Sequence, residues 1–428
     1  MAIANDLCDS AGGIIGRRDF LRAAAALSAA GVVLIGTHGW AASAAGHDSN
    51  QSRLVVVFMR GAVDGLNVVV PYGDSQYYEQ RPNIAIPRPD GGDGSALDLD
   101  GHFGLHPALS SLMPLWRDRT LAFVHACGSP DPTRSHFDAQ DFMESGTPGV
   151  RTTPDGWMNR VLAALPGFHG PTEAVSLGAT LPRILTGRMA VANILLGRAA
   201  ARPMPLDNPR IETAFGQLYA GSDQLSAAFR EGQAARKRLL AELEQDMTVA
   251  NAGAPPPDGF SDDTARLARL IARDPTIRLA FLAVGGWDTH VNEGSFKGQL
   301  ANRLKPFGDG LASFVNQLGP AYADTVVLVI SEFGRTVHEN GNGGTDHGHG
   351  NVMWVMGGAI SGGRVYADWN GLASSDLYQE RDLPVTTDFR APISSILRSH
   401  MRVTPQQINL IFPRRPADDG HLSSLVRA

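Results

Sequence analysis

The sequence contains little cysteine and little charge. Its 428 residues include only two cysteines, charged residues make up 19%, and the formal net charge is −6. Cys8 lies in the N-terminal leader described below, so Cys127 alone remains once that leader is removed. A chain with one thiol has no internal disulfide, and its stability must come from a hydrophobic core or from a bound metal.

Basic clusters and membrane-length apolar runs are also missing. Lys and Arg together number 37 against 43 Asp and Glu, and they form no polybasic block or stripe. We therefore expect neither nucleic acid nor an anionic membrane as a partner. The longest apolar stretch, residues 23–35, is shorter than the roughly 20 residues that a membrane span needs, so we expect no stable membrane insertion after cleavage.

The N-terminus has the pattern of a twin-arginine signal peptide covering residues 1–45. Arg17 and Arg18 are followed by an alanine-rich apolar run, and Ala-Ser-Ala at 42–44 matches the small-residue pattern that signal peptidases cut. The sequence therefore predicts transfer by the twin-arginine export machinery to a periplasmic or extracellular location. An uncleaved N-terminal anchor is the alternative.

The remaining residues, 46–428, have the pattern of one α/β domain. Short Val-, Ile- and Leu-rich runs alternate with helical segments, which favours a largely parallel central sheet with helices on both faces. We also predict a helical insertion at about 205–262, which ends near a run of three prolines. The predicted strands lie at 54–59, 121–126, 278–284, 325–330 and 352–356.

Polar residues that can bind a metal or an anion stand just beyond the ends of these strands. In open α/β sheets, ligands bind at the carboxyl ends of the strands. Asp64 could instead belong to a turn, and Ser135 could simply cap a helix. Asp288 and His290 are two residues apart, so in extended chain they point to one side, as joint ligands or as a hydrogen-bonded pair.

A glycine-rich loop holds the strongest of these signals. Asp346, His347 and His349 lie within four positions of the chain, before the strand predicted at 352–356. Glu332 and Arg335 follow the strand at 325–330, where an ordinary ion pair between them is the alternative interpretation. Taken together, carboxylates and imidazoles from several strand ends predict a site for a divalent ion such as Zn²⁺, Mn²⁺, Mg²⁺ or Ca²⁺.

The chemistry implied by this set is metal-assisted transfer of a phosphoryl or sulfuryl group through a seryl intermediate. Ser135, at the start of a predicted helix, would be the nucleophile. Arg134 and Arg335 could hold the oxyanion of a small anionic ester in a bidentate manner.

The order of these motifs resembles the alkaline phosphatase and sulfatase superfamily. Segments 60–67, 133–141, 285–290, 331–336 and 345–351 resemble more closely an exported family known as domain of unknown function 1501, over nearly the whole mature chain. The superfamily resemblance implies Asp64 as the first metal ligand, Ser135 as the nucleophile, and Asp288 with His290 at one metal position.

The resemblance leaves two alignments for the other metal residues. In the first, Asp346 and His347 complete the second metal position. In the second, which we prefer, Glu332 and Phe333 occupy that position, and His347 or His349 is the late histidine of the first. Because Phe333 cannot bind a metal, the second alignment predicts one tightly bound ion.

These expectations favour an exported metal-dependent hydrolase of phosphate or sulfate esters. The alternative is a non-catalytic binding or surface protein that keeps the fold and one structural metal, since fold alone does not determine function.

Overall fold

The structure is a computed structural model that describes residues 32–35 (as backbone only), 52–167, 170, 172–194, 250–415 and 422–427. Arg17, Arg18, the cleavage motif at 42–44 and residues 205–249 of the predicted insertion lie outside these ranges.

The described chain contains two sheets. The strands are β1 (Val32–Ile35), β2 (Arg53–Met59), β3 (Val69–Val70), β4 (Leu97–Asp98), β5 (Gly104–Leu105), β6 (Leu121–Gly128), β7 (Ala174–Leu177), β8 (Val191–Ile194), β9 (Leu279–Val284), β10 (Thr325–Ser331), β11 (Asn351–Gly357), β12 (Arg364–Tyr366) and β13 (Thr387–Asp388). The small sheet has the order β3-β5-β4. All five strands predicted from the sequence are present in the large sheet.

The helices are α1 (Gly65–Val68), α2 (Ser75–Gln80), α3 (Met113–Arg117), α4 (His136–Ser145), α5 (Trp157–Ala164), α6 (Phe260–Arg273), α7 (Gln299–Leu318), α8 (Arg390–Ser399) and α9 (Pro405–Ile411). In the part of the chain that the structure describes, no helix is both long and apolar enough to cross a membrane.

The large sheet is mixed and mostly parallel. Its order is β1-β8-β7-β9-β2-β10-β11-β6-β12, with β13 also paired to β6. Strands β8, β7, β9, β2 and β10 run parallel to one another, whereas β11 is antiparallel to both β10 and β6. The edge strand β1 lies inside the predicted leader and pairs antiparallel with β8. Cleavage of that leader stays a prediction.

Helices cover both faces, as the sequence predicts. Because side chains alternate along a strand, Leu54, Val56 and Phe58 of β2 point to one core, and Val55 and Val57 point to the other. Helices α5, α8 and α9 pack against the first face, and α6 and α7 against the second. The apolar stripe of α7 runs over its whole length and is buried.

This topology brings the predicted site residues to one edge. Strands β2, β9 and β10 are parallel, so their carboxyl ends meet. Strand β6 runs in the same direction as β10, because each is antiparallel to β11. The loop before β11 reaches the same edge, since β11 starts where its neighbours end. The loops that carry the motifs therefore meet at this edge.

Candidate metal centre

Three imidazoles and one carboxylate meet at this edge. His136 is the first residue of α4, Asp288 and His290 follow β9, and His347 stands in the loop before β11. Among the described residues, His136, Asp288 and His347 form a group whose ligand atoms lie within 4.8 Å of one another. His290 adjoins this group, since its Nε2 lies 3.0 Å from Asp288 Oδ1.

Two of the imidazoles direct their Nε2 atoms at Nε2 of the third. Nε2 of His347 lies 3.0 Å from Nε2 of His136 and 3.0 Å from Nε2 of His290. Two neutral imidazoles can share at most one proton across such a contact. Three converging nitrogens therefore leave unshared lone pairs, which a cation would satisfy.

The opposite nitrogen of each ring is held by an oxygen. An oxygen acceptor holds the proton on Nδ1, so that Nε2 is the nitrogen that can give up its proton to a metal and direct its lone pair into the cluster, as in the outer shell of metal-bound histidines. The acceptors are Glu332 for His136 at 2.8 Å, Asp346 for His290 at 3.2 Å and the backbone carbonyl of Arg134 for His347 at 3.0 Å.

The spacing of the donor atoms suits a small divalent ion. Ligands about 2.0–2.1 Å from a tetrahedral ion lie roughly 3.3 Å from one another. Oδ2 of Asp288 lies 3.5 Å from His136 Nε2, and its Oδ1 lies 3.4 Å from His347 Nε2. With the 3.0 Å contacts between imidazoles, these distances bracket the expected value. The residues present therefore fit a metal ion.

Asp288 is the anionic member of the cluster. Its Oδ1 accepts a hydrogen bond from Arg335 Nη1 at 2.6 Å, and none of the described residues hydrogen-bonds its buried Oδ2. Burial alone would raise the pKa of Asp288, but its contacts with the three imidazoles and the charge of Arg335 hold that pKa well below its usual range. An ionised carboxylate oxygen is thus available to a cation.

The pKa of His136 reports how strongly this position favours positive charge. Burial lowers the pKa of the ring, but hydrogen bonds to Asp288 and Glu332 and the charges of both carboxylates outweigh it and raise the pKa to about 9. Burial also lowers the pKa of His347, and there the hydrogen bond to Asp288 does not outweigh it, so the pKa is lowered and the ring stays neutral and able to act as a ligand.

Glu332 stabilises the cluster by binding the Nδ1 side of His136. It is fully buried, and its Oε1 accepts hydrogen bonds from the backbone N–H of Gly61 at 2.8 Å and from Gln140 Nε2 at 2.9 Å, besides its contact with His136. The structure therefore places Glu332 on the outer nitrogen of a candidate ligand. Asp346 has the same relation to His290.

Asp64 lies in a separate buried network. Its carboxylate pairs with the guanidinium of Arg81, which reaches Asp64 Oδ1 at 3.1 Å through Nη2. Glu293 belongs to the same network. Burial raises the pKa of Glu293 well above its ordinary value, and the negative charge of Asp64 raises it further. The structure does not bring Asp64 into the group of ligand atoms around Asp288.

His349 and the two predicted arginines have other surroundings. His349 stacks on Tyr378, with 4.8 Å between ring centroids. Arg134 pairs with Asp382 at 2.5 Å, and Arg335 is buried against Asp288 and Thr345. Both guanidiniums are occupied by protein carboxylates.

Ser135 caps helix α4. Its Oγ accepts a long hydrogen bond of 3.5 Å from the backbone N–H of Asp138, and the residue is exposed. It directly precedes His136 in the chain, at the start of α4.

Phe333 forms an apolar wall of the cluster. Its ring centroid lies 4.9 Å from that of His136 and 5.1 Å from that of His347, and the side chain is buried with Ala62 and Ala139. The wall limits the space for additional polar ligands on that side.

His136 is a candidate ligand that the sequence motifs do not predict. Its signal is a polar stripe, since His136, Gln140 and Glu144 recur every four residues and are buried, whereas Phe137 beside them is exposed. A helix that buries its polar face and exposes an aromatic ring has a polar site beneath it.

An open cavity of about 670 Å³ adjoins the cluster. Val291, which follows His290, lines it, and so does Asn340, whose Nδ2 donates to His290 O and to Asp346 Oδ1. The other lining residues are Asn83, Asn292, His338, Glu339, Gly341, Asn342 and Gly343.

Comparison with known protein families identifies a family for this chain. A family model described as "Protein of unknown function (DUF1501)" matches residues 51–412. No curated protein matches the chain.

Similar solved structures are distant. A sulfatase described as putative, from Bacteroides thetaiotaomicron, is 9% identical, with 86% of this chain and 76% of that chain covered and a TM-score of 0.35. The C-terminal periplasmic domain of EcEptC from Escherichia coli, in complex with Zn, is 11% identical, with coverages of 72% and 73% and a TM-score of 0.35. The lipoteichoic acid synthase LtaP from Listeria monocytogenes is 7% identical, with coverages of 76% and 68% and a TM-score of 0.32. Similarity at this level does not support a functional conclusion.

Proposed function

The chain belongs to the DUF1501 family of proteins of unknown function, and on that premise we propose that it is a metal-dependent hydrolase of phosphate or sulfate esters that acts outside the cytoplasm. The observation that supports this most directly is the convergence of three imidazole Nε2 atoms on Asp288, with each Nδ1 held by an oxygen. A donor set rich in nitrogen favours Zn²⁺ over Mg²⁺ or Ca²⁺.

One side of the centre faces solvent. About a fifth to a quarter of the side chains of His290 and His347 is exposed, at 22% and 25%, whereas Asp288 is 1% exposed. A substrate would approach from the side of these two histidines, where the cavity lies. A bound divalent ion would supply a Lewis acid for the ester group.

Side chains of the protein would supply the remaining roles in the proposed hydrolysis. Arg335 keeps Asp288 oriented and ionised. We propose Ser135 as the nucleophile, because its hydroxyl is exposed beside His136 and its single capping bond is long. Attack by Ser135 Oγ would release the alcohol of the ester and leave a seryl ester, which water would then hydrolyse.

The location outside the cytoplasm rests on the predicted leader at residues 1–45. The twin-arginine route transfers folded proteins, which would let the ion bind before export.

The test is ester hydrolysis by the purified mature chain. Aryl phosphate and aryl sulfate substrates are assayed before and after chelation and after return of Zn²⁺. We expect hydrolysis of at least one class, loss with chelator and recovery with metal. Absence of turnover on both classes by metal-loaded protein would contradict the proposal.

A second candidate is a non-catalytic protein with a structural metal. The observation that favours it is the number of protein ligands, because His136, Asp288, His290 and His347 could close a tetrahedral shell. The absorption spectrum of the Co²⁺-substituted protein distinguishes the two. A response of this spectrum to added phosphate indicates an open position, and an unchanged spectrum with no turnover indicates a structural ion.

A further inference from the structure

Arg303, near the metal centre, carries a guanidinium that no described residue binds. It lies in the second turn of α7 and is half-buried. Within the described part of the chain it makes no hydrogen bond or ion pair, and its Nη1 is buried without a partner. A buried donor that is left unpaired destabilises the protein, and more so when the group is charged.

Neighbouring arginines differ from Arg303 in this respect. Arg335 is bound by Asp288, Arg81 by Asp64, and Arg134 by Asp382. These three guanidiniums serve the protein itself, so they are not free to recognise an anionic substrate.

Arg303 lies against the chain segment that leads to the metal centre. A Cβ atom added to Gly286 would stand 3.4 Å from Arg303 Nε, and Asp288 is two residues further on. The glycine, at φ +93°, thus leaves room for the guanidinium against the main chain.

The electrostatic surroundings agree with this position. Burial lowers the pKa of Arg303, and the charges of Asp288, Asp258 and Glu293 oppose that effect. The charge of Asp288 therefore acts on Arg303, although Asp288 itself bonds to Arg335.

We propose that Arg303 binds the oxyanion of a phosphate or sulfate monoester whose ester group lies at the metal centre. This inference rests on the proposed function and names the residue that selects an anionic substrate. The planar guanidinium offers parallel N–H donors that match two oxygens of a tetrahedral oxyanion, and Nη1 would gain the partner that it lacks.

The experiment compares Arg303→Met and Arg303→Lys with Lys305→Met in metal-loaded protein. Lys305 is on the same helix, is exposed and pairs with Asp309. The Lys305→Met variant therefore removes the same positive charge from a side chain that already has an ion-pair partner. Metal content and unfolding midpoint are measured for each variant. Binding of inorganic phosphate and of inorganic sulfate is then measured by calorimetry.

We expect Arg303→Met to weaken binding of the preferred anion by roughly 10- to 100-fold, as for loss of a hydrogen bond to a charged group. Arg303→Lys should recover part of the affinity, and Lys305→Met should match the wild type. Anion binding by the wild type that is unaffected by Arg303→Met would overturn the inference, as would a wild type that binds neither anion.

Calorimetry does not require turnover, so this outcome is independent of the test of hydrolysis. If aryl esters are hydrolysed, Arg303→Met should also raise KM for the anionic ester, with no effect on a neutral aryl acetate. An equal effect on both esters would indicate a structural role and contradict the inference.

Discussion

Oε1 of Glu332 lies 2.8 Å from Nδ1 of His136, although the two residues are 196 positions apart in the chain. The carboxylate follows β10, and the imidazole begins α4. Through this bond a residue at one strand end sets the tautomer of a candidate ligand at another, with its Nε2 directed towards Asp288.

Changing Glu332 to Gln should weaken metal binding without removing a ligand. The Gln oxygen can stay on His136, Gly61 and Gln140, but the charge that favours the Nδ1 proton is lost. We expect zinc affinity to fall roughly 10- to 100-fold, measured by competition with a chromophoric chelator. Glu380→Gln, at an exposed position, is the control. Equal affinities for both variants would remove Glu332 from the supporting role.

The centre should hold one tight ion per chain. Metal analysis after extended dialysis should find close to one equivalent, and His347→Ala should lose most of it, because His347 contacts both other imidazoles. Phe333→His places a further imidazole beside the cluster and tests the second alignment, which expects a content closer to two. Two tight ions in the unmodified protein would contradict the prediction.

Ser135→Ala separates a nucleophile from a helix cap. If the seryl step occurs, turnover should fall by roughly 10⁴-fold, with metal content unchanged. Loss of the cap should cost about 1 kcal/mol of unfolding free energy. Thr404→Ala removes the cap of α9, where Thr404 accepts from Gln407 N–H and also donates to the Gln407 side chain, and gives the cost of cap loss at a site away from the cluster. Turnover near wild type in Ser135→Ala would leave Ser135 as a cap only.

Glu293→Gln should stabilise the protein above acidic pH. Burial raises the pKa of Glu293 well above its ordinary value of 4.5, so the folded state keeps a proton that the unfolded state releases as pH rises. The free energy of unfolding therefore falls with rising pH from about 4.5 up to the folded-state pKa.

Gln cannot ionise. The free energy of unfolding of Glu293→Gln should therefore exceed that of the wild type by an amount that grows between pH 5 and pH 8, as measured by urea unfolding. Exposed Glu79→Gln serves as control. A constant difference between wild type and Glu293→Gln across this range would show that Glu293 ionises in the folded protein as it does in the unfolded chain.

Substitutions in the predicted leader test the route of export. Replacing Arg17 and Arg18 with Lys keeps their charge but removes the paired guanidiniums read by the twin-arginine receptor. The precursor should accumulate in the cytoplasm, as followed by immunoblotting of cell fractions. Continued appearance of mature protein outside would refute this route.

The sequence determined the layout of the fold. Apolar runs rich in Val, Ile and Leu, such as 54–59 and 325–330, form strands because both of their faces are buried, and this property is visible in composition. Once those strands are parallel, their polar successors must meet at one edge. Asp288, His290 and His347 could therefore be predicted as neighbours from the sequence.

Only the tertiary structure decided which side chains face one another. Asp64 and Asp288 both follow parallel strands, but the guanidinium of Arg81 pairs with Asp64 and that of Arg335 with Asp288 Oδ1, which leaves Asp288 Oδ2 free. His136 becomes a candidate ligand because the first turn of α4 points its ring at His347. These outcomes depend on rotamers, burial and hydrogen bonds between residues far apart in the chain, which local sequence does not encode.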